Sequence, residues 1–125
     1  MKEPVWLGAE TVIDIHGELI AHFGGRPGLR DRGALEAAID RPRNKYAYGE
    51  TRLAWLAAAY AYGLTRGHAF VDGNKRIGFA TMLVFLGLNG RTLRAPEPEA
   101  TALMFALAAG EVGEQQAAEW VERYL

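Results

Sequence analysis

The nine residues from His68 to Arg76 read HAFVDGNKR and bring together an imidazole, a carboxylate, a glycine and two cations. His68 is the group in this run suited to accept a proton near neutral pH. Asp72 can serve as a ligand to Mg²⁺, an ion usually held by one or two carboxylates with phosphate oxygens and water completing the shell. Asp72-Gly73-Asn74 leads straight into an apolar run, so the first N–H groups of the following helix lack intrahelical acceptors and point toward the loop. Gly73 lets the backbone approach a ligand closely, and Lys75 and Arg76 stand in the same first turn. Cations are disfavoured at the positive end of a helix, so a bound anion accounts for their presence there. Phosphate suits the site better than carboxylate, because Arg76 can fork onto its oxygens. The chemistry assembled is transfer of a phosphate-containing group to a hydroxyl. His68 would be the base, Asp72 the metal ligand, and Gly73, Asn74, Lys75 and Arg76 the phosphate cradle.

Each residue also has a plainer reading. Asp72 alone is a helix cap, Phe70 is core, His68 is a hydrogen-bonded structural histidine, and Lys75 and Arg76 are solvated charges. Their coincidence within nine residues is what favours a site. Phe70, alternating with His68, is expected to point into the core and fix the loop.

The elements that must hold this loop follow from periodicity. Val12, Ile13, Leu19, Ile20 and Phe23 predict a helix over 9–23, closed by Gly24 and Gly25. Asp31 can cap a short helix with Leu35, Ala38 and Ile39 on its apolar face, ending before Pro42. Arg41 to Glu50 then reads as an exposed loop or flap that mixes cations with Tyr46 and Tyr48. Residues 51–66 and 74–89 are apolar nearly all round, which predicts two buried helices with the polar HAFVDGN reversal between them. Asn89-Gly90 stops the second, Arg91 to Pro98 is an extended stretch and a candidate minor strand, and two helices follow over 99–109 and 114–124. The expected fold is all-α, a compact bundle of five or six helices around a buried central pair.

Composition narrows the rest. A chain of 125 residues suits one compact domain, and 50% hydrophobic with 23% charged residues is ordinary for a globular protein. The formal net charge of −1 removes any general pull toward nucleic acid or anionic lipid, so phosphate recognition has to be local. With no cysteine, disulfides, thiolate metal sites and cysteine nucleophiles are excluded. No leader-like apolar run follows Lys2 and Glu3, and no uncharged stretch reaches the roughly 18–20 residues that span a bilayer, so the cytoplasm is the expected compartment. His16 and His22 lie six apart, off the i, i+4 spacing of a helical metal pair, and read as structural or exposed. Trp6, Trp55 and Trp120 read as packing residues, and Glu97, Glu99, Glu111, Glu114, Glu119 and Glu122 as an acidic, solvated surface.

HAFVDGNKR resembles the signature of the Fic fold in its death-on-curing (Doc) form, His-x-Phe-x-Asp/Asn-Ala/Gly-Asn-Lys-Arg, at every position. GRPGLRDRGALEAAIDRPRN, residues 25–44, and FLGLNG, residues 85–90, are similar to recurring Doc-type segments. Fic enzymes typically transfer AMP from ATP to a hydroxyl. The Doc resemblance implies instead a kinase that moves the terminal phosphate of ATP, with Mg²⁺, to a threonine of elongation factor Tu, the toxin of a toxin–antitoxin pair that blocks translation. AMP-transferring members usually carry Gly where this chain has Lys75, and a further Arg where it has Phe79. That difference favours kinase chemistry, with nucleotidyl transfer as the alternative and a non-catalytic phosphate- or protein-binding module as a third reading. The Arg41 to Glu50 stretch falls where the target-docking flap would be. Family members are restrained by a glutamate in the pattern Ser/Thr-x-x-x-Glu-Gly/Asn. This chain has no serine, and none of Thr11, Thr51, Thr65, Thr81, Thr92 or Thr101 has Glu four residues later. The resemblance therefore implies a separate Phd-like antitoxin whose helical segment docks in a groove of this domain.

Overall fold

The computed structural model describes residues 2–125. Six helices follow one another: α1 (Ala9–Phe23), α2 (Arg32–Ala47), α3 (Leu53–Gly67), α4 (Asn74–Leu88), α5 (Glu97–Ala109) and α6 (Glu114–Arg123). Among the described residues no strand is present, and the one β-type feature is an antiparallel bridge between Leu29 and Phe70.

α3 is the axis of the bundle. Its alanine-rich run from Ala57 to Ala61 is buried on every side, and it packs against α2, α4 and α6. Small side chains permit that crowding. Gly63 lies so close to α2 that a Cβ there would stand 3.2 Å from the Ala38 Cα. At Gly78 of α4, an added Cβ would collide with Thr65 Oγ1 and come 3.0 Å from the Ala61 carbonyl oxygen. The α3–α4 pair is therefore fitted backbone to backbone, and large side chains fill the space at its end. There Tyr60 and Phe85 pack at 5.1 Å between centroids, with Trp6 stacked on Phe85 at 5.7 Å. α4 is less enclosed than its composition suggests, because Leu83, Val84 and Leu88 form an exposed apolar stripe on its outer side.

The expected stop before Pro42 is not observed. α2 continues to Ala47 with Pro42 inside it and buried, so most of the anticipated Arg41 to Glu50 flap is helix. Proline removes the N–H that would bond the Ala38 carbonyl. That carbonyl faces the close contact with Gly63, and burial of the α2 face against α3 offsets the lost bond. Arg41 and Lys45 also pair with Glu114 of α6, at 2.7 and 3.5 Å, which ties the last turns of α2 to the bundle. Tyr46 packs edge-on against Trp6, and Tyr48 alone is fully solvated, 93% exposed.

Two further boundaries differ. Residues 91–96 are extended but pair with no strand; Arg94 N–H donates instead to the Tyr124 carbonyl, at 2.9 Å. α5 begins at Glu97, two residues earlier than expected, since Pro98 sits where a helix needs no N–H. The acidic C-terminal residues are partly engaged: Glu114 as above, Glu122 with the Trp55 indole at 3.2 Å, and Glu99 with the Tyr124 hydroxyl.

Replacing Gly78 by alanine is expected to lower unfolding free energy by about 1–3 kcal/mol, the usual cost of overpacking, as read from urea denaturation midpoints.

Candidate functional site

The reversal between α3 and α4 occupies residues 68–73, and its conformation is unusual at both ends. His68 closes α3 at φ 50, the left-handed region that non-glycine residues avoid at roughly 1–2 kcal/mol. Gly73 precedes α4 at φ 75, where glycine carries no such strain. Segment 26–31 runs alongside and straps the loop down. Arg30 and Asp31 N–H both donate to the Ala69 carbonyl, at 2.7 and 3.0 Å, and Val71 N–H donates to the Gly28 carbonyl at 3.0 Å. Arg30 Nε donates to the His68 carbonyl at 2.8 Å, which holds the strained residue in place. Asp31 then caps α2 through Ala34 N–H, as its position in the sequence predicts.

Inside the loop, Asn74 reaches back with both ends of its amide. Its Oδ1 accepts from Phe70 N–H at 3.2 Å and its Nδ2 donates to the Phe70 carbonyl at 3.0 Å. The Asn74 side chain is thus a brace, leaving its backbone N–H as the group it can offer a ligand. Phe70 is buried, as its alternation with His68 implies. The first intrahelical bond of α4 runs from Ile77 N–H to the Gly73 carbonyl, so the N–H groups of Asn74, Lys75 and Arg76 precede the ladder.

The Asp72 carboxylate links the two segments. Oδ2 accepts from Arg26 N–H at 3.0 Å and Oδ1 from Gly73 N–H at 2.8 Å. These bonds, the Arg26 one foremost, hold its pKa below the ordinary 3.8, with the Arg26 and Arg76 charges acting in the same direction. Asp72 is exposed and ionised at neutral pH. Among the described residues no group of three His, Cys, Asp or Glu side chains converges on one point, so a Mg²⁺ ion here would rest on this carboxylate and on ligand oxygens.

Asp72, Gly73, Asn74, Lys75 and Arg76 all border a cleft of about 840 Å³ between α1, α4 and α5. Its outer walls include Phe23 and Phe105, about 60% exposed, and each carries one of the cations: Arg76 lies 4.7 Å from the Phe23 ring centre and Lys75 lies 4.9 Å from that of Phe105. His68 is not among the cleft residues. It stands exposed at the end of α3, at the opposite end of the loop sequence from the cleft-lining first turn of α4.

Two parts of this site are illegible as function in the sequence alone. The GGRPGL stretch is turn-like in the sequence, and its residues from Arg26 on form part of the strap. His16 reads as structural or exposed; it is buried, stacked on Phe70 at 3.9 Å, and donates Nε2–H to the Asp72 carbonyl at 2.8 Å. Its position between Val12 and Leu19 on the apolar stripe of α1 is the available signal, since a buried polar group needs a partner. His22 is exposed, edge-on to Phe23.

Fold and loop together define an all-helical protein in which a tight reversal sets the first turn of α4 beside a cleft. The chain belongs to the Fic/DOC family, whose profile matches residues 6–86, well over half of it. It is 36% identical over 118 residues to the protein kinase doc of Escherichia phage P1, covering 94% of this chain and 93% of that one. It is 46% identical over 76 residues to the toxin Doc of Mycolicibacterium smegmatis, 58% of each chain.

Because the folded pKa of Asp72 is depressed, the strap bonds it accepts are fully present above pH 3.8 and are lost as pH falls through the lower folded value. The amide resonances of Arg26 and Gly73 should therefore titrate together in that acid range, and Asp72→Asn should abolish the shared step.

Proposed function

We propose that this protein is the toxin of a toxin–antitoxin pair, a cytoplasmic protein kinase working as one catalytic domain over residues 1–125, that transfers the γ-phosphate of ATP to a threonine hydroxyl of elongation factor Tu and so blocks translation. The observation that carries the reading is that an unbonded helix terminus, two cations and one ionised carboxylate border a single cleft large enough for a nucleotide. Membership of the Fic/DOC family and the likeness to a protein named as a kinase support it.

In this reading the N–H groups of Asn74, Lys75 and Arg76 bind phosphate oxygens, Gly73 permits their close approach, and the Lys75 and Arg76 side chains neutralise charge that grows in the transition state. Asp72 holds Mg²⁺, which when bound supplies charge neutralisation between phosphate groups. Its carboxylate fits the role: it is ionised, exposed to the cleft, and each oxygen spends one lone pair on a backbone N–H and keeps another. His68 takes the proton from the acceptor hydroxyl. Its solvent-facing place outside the cleft suits a base whose partner is a protein side chain arriving from outside while the nucleotide comes from within. Catalysis would then be positioning and electrostatics, the usual means for phosphoryl transfer. The apolar rim formed by Phe23, Leu83 and Phe105 suits the apolar face of a helical segment from a Phd-like antitoxin.

ATP labelled separately at the α and γ positions tests the assignment against elongation factor Tu. Label should reach protein from the γ position alone, and α-label transfer would establish AMP transfer in its place. His68→Ala should lower transfer by at least about 100-fold, the usual worth of a general base, and should relieve growth inhibition on expression in bacteria. Equal inhibition by wild type and variant would establish binding without catalysis.

A further inference from the structure

We infer that His16 of α1 is a positioning residue for the phosphate cradle, acting through the peptide plane between Asp72 and Gly73. The inference rests on the nucleotide reading above and adds to it a residue outside the motif. The Asp72 carbonyl and the Gly73 N–H belong to one rigid peptide unit. His16 Nε2–H donates to the carbonyl end at 2.8 Å, and Asp72 Oδ1 accepts from the N–H end at 2.8 Å, so the plane is fixed from both sides. A carbonyl oxygen only accepts, which sets the tautomer: the proton sits on Nε2.

The ring is itself immobilised. It is 4% exposed and lies nearly parallel to the Phe70 ring, 13° between planes and 3.9 Å between centres. Phe70 is in turn held at both its N–H and its carbonyl by Asn74. A Cβ at Gly73 would stand in ordinary contact with Nε2, at 3.6 Å, so what calls for glycine beside the imidazole is the backbone at φ 75. The orientation of this one peptide determines the direction in which Gly73 launches α4. It thereby aims the free N–H groups of Asn74, Lys75 and Arg76. His16 touches neither the cleft nor a reacting atom by this geometry, and its effect is on where those donors point.

Calorimetric titration of the full chain with Mg-ATP tests this through two variants that separate the donor from the ring. His16→Phe keeps the stack and removes the hydrogen bond; His16→Gln removes the stack and keeps an amide N–H of similar reach. Affinity should fall about tenfold in His16→Phe with binding stoichiometry unchanged, and stay within about threefold of wild type in His16→Gln. A general structural role would instead lower the stoichiometry, through loss of folded protein, and leave the dissociation constant where it was; that result overturns the inference. So does equal affinity for wild type and His16→Phe, or a loss in His16→Gln as large as in His16→Phe. Should His16→Phe not fold, His16→Leu, which also lacks the donor, takes its place against the same tenfold mark. A wild-type chain that binds no Mg-ATP overturns this inference and the nucleotide reading together, whereas intact wild-type binding with an indifferent His16 overturns this one alone.

Discussion

The contact on which the molecule depends is the backbone-close packing of α3 on α4. Gly78 has no side chain to hold the helices apart, so the chain must reverse between Gly67 and Asn74 in a span too short for a relaxed loop. Both peculiarities of the site descend from that constraint. His68 is forced into the left-handed region, and Gly73 is needed where the turn enters α4. A wider helix pair would have allowed a longer, softer connection, and the helix terminus would no longer sit at a fixed place beside a fixed carboxylate.

A reversal so tight cannot satisfy its own backbone groups. Its carbonyls and N–H groups are met from elsewhere: by residues 26–31 along one side, by the Asn74 amide from within, and by His16 from α1. Buried polar groups left without partners cost about 1–3 kcal/mol each, so this bracing is a condition of the loop's existence as well as of its precision. Thr65 and Thr81, whose buried hydroxyls find no partner among the described residues, show that the α3–α4 core accepts some of that cost where packing is tightest.

The pattern of what was legible follows the range of each interaction. α1, the start of α4 and the Asp31 cap depend on neighbours within a few residues, and periodicity and cap chemistry place them correctly. The motif could be read as an anion site because its elements, helix start, glycine and cations, are contiguous. α2 running through Pro42 was not readable, since a local breaker is overridden by contacts with Gly63 and Glu114 far along the chain. The strap and His16 were hidden for the same reason: their partners lie about 40 to 56 residues away, and nothing in a turn-like GRPGL or a lone histidine names the group it will meet.

The charges around the cleft bear on how a chain of net charge −1 would receive the proposed anion at the motif. Ion pairs among the described residues engage Arg32, Arg41, Lys45 and Arg52, and neither Lys75 nor Arg76. Those two rest on phenylalanine faces, contacts worth about 0.5–1 kcal/mol at exposed positions. A carboxylate partner would have competed directly with an incoming phosphate for the same charge. An aromatic face competes far less, because its attraction is weaker than a charge-assisted hydrogen bond to an oxyanion, worth about 1.5–3 kcal/mol. The partial positive charge of the helix terminus meets the Asp72 carboxylate through Gly73 N–H, while the N–H groups of Asn74, Lys75 and Arg76 stay outside the helical ladder. Glu114 and Glu122 of α6 and Glu99 at the start of α5 are meanwhile engaged in fastening the bundle, to Arg41 and Lys45, to the Trp55 indole and to the Tyr124 hydroxyl, and none of them pairs with Lys75 or Arg76.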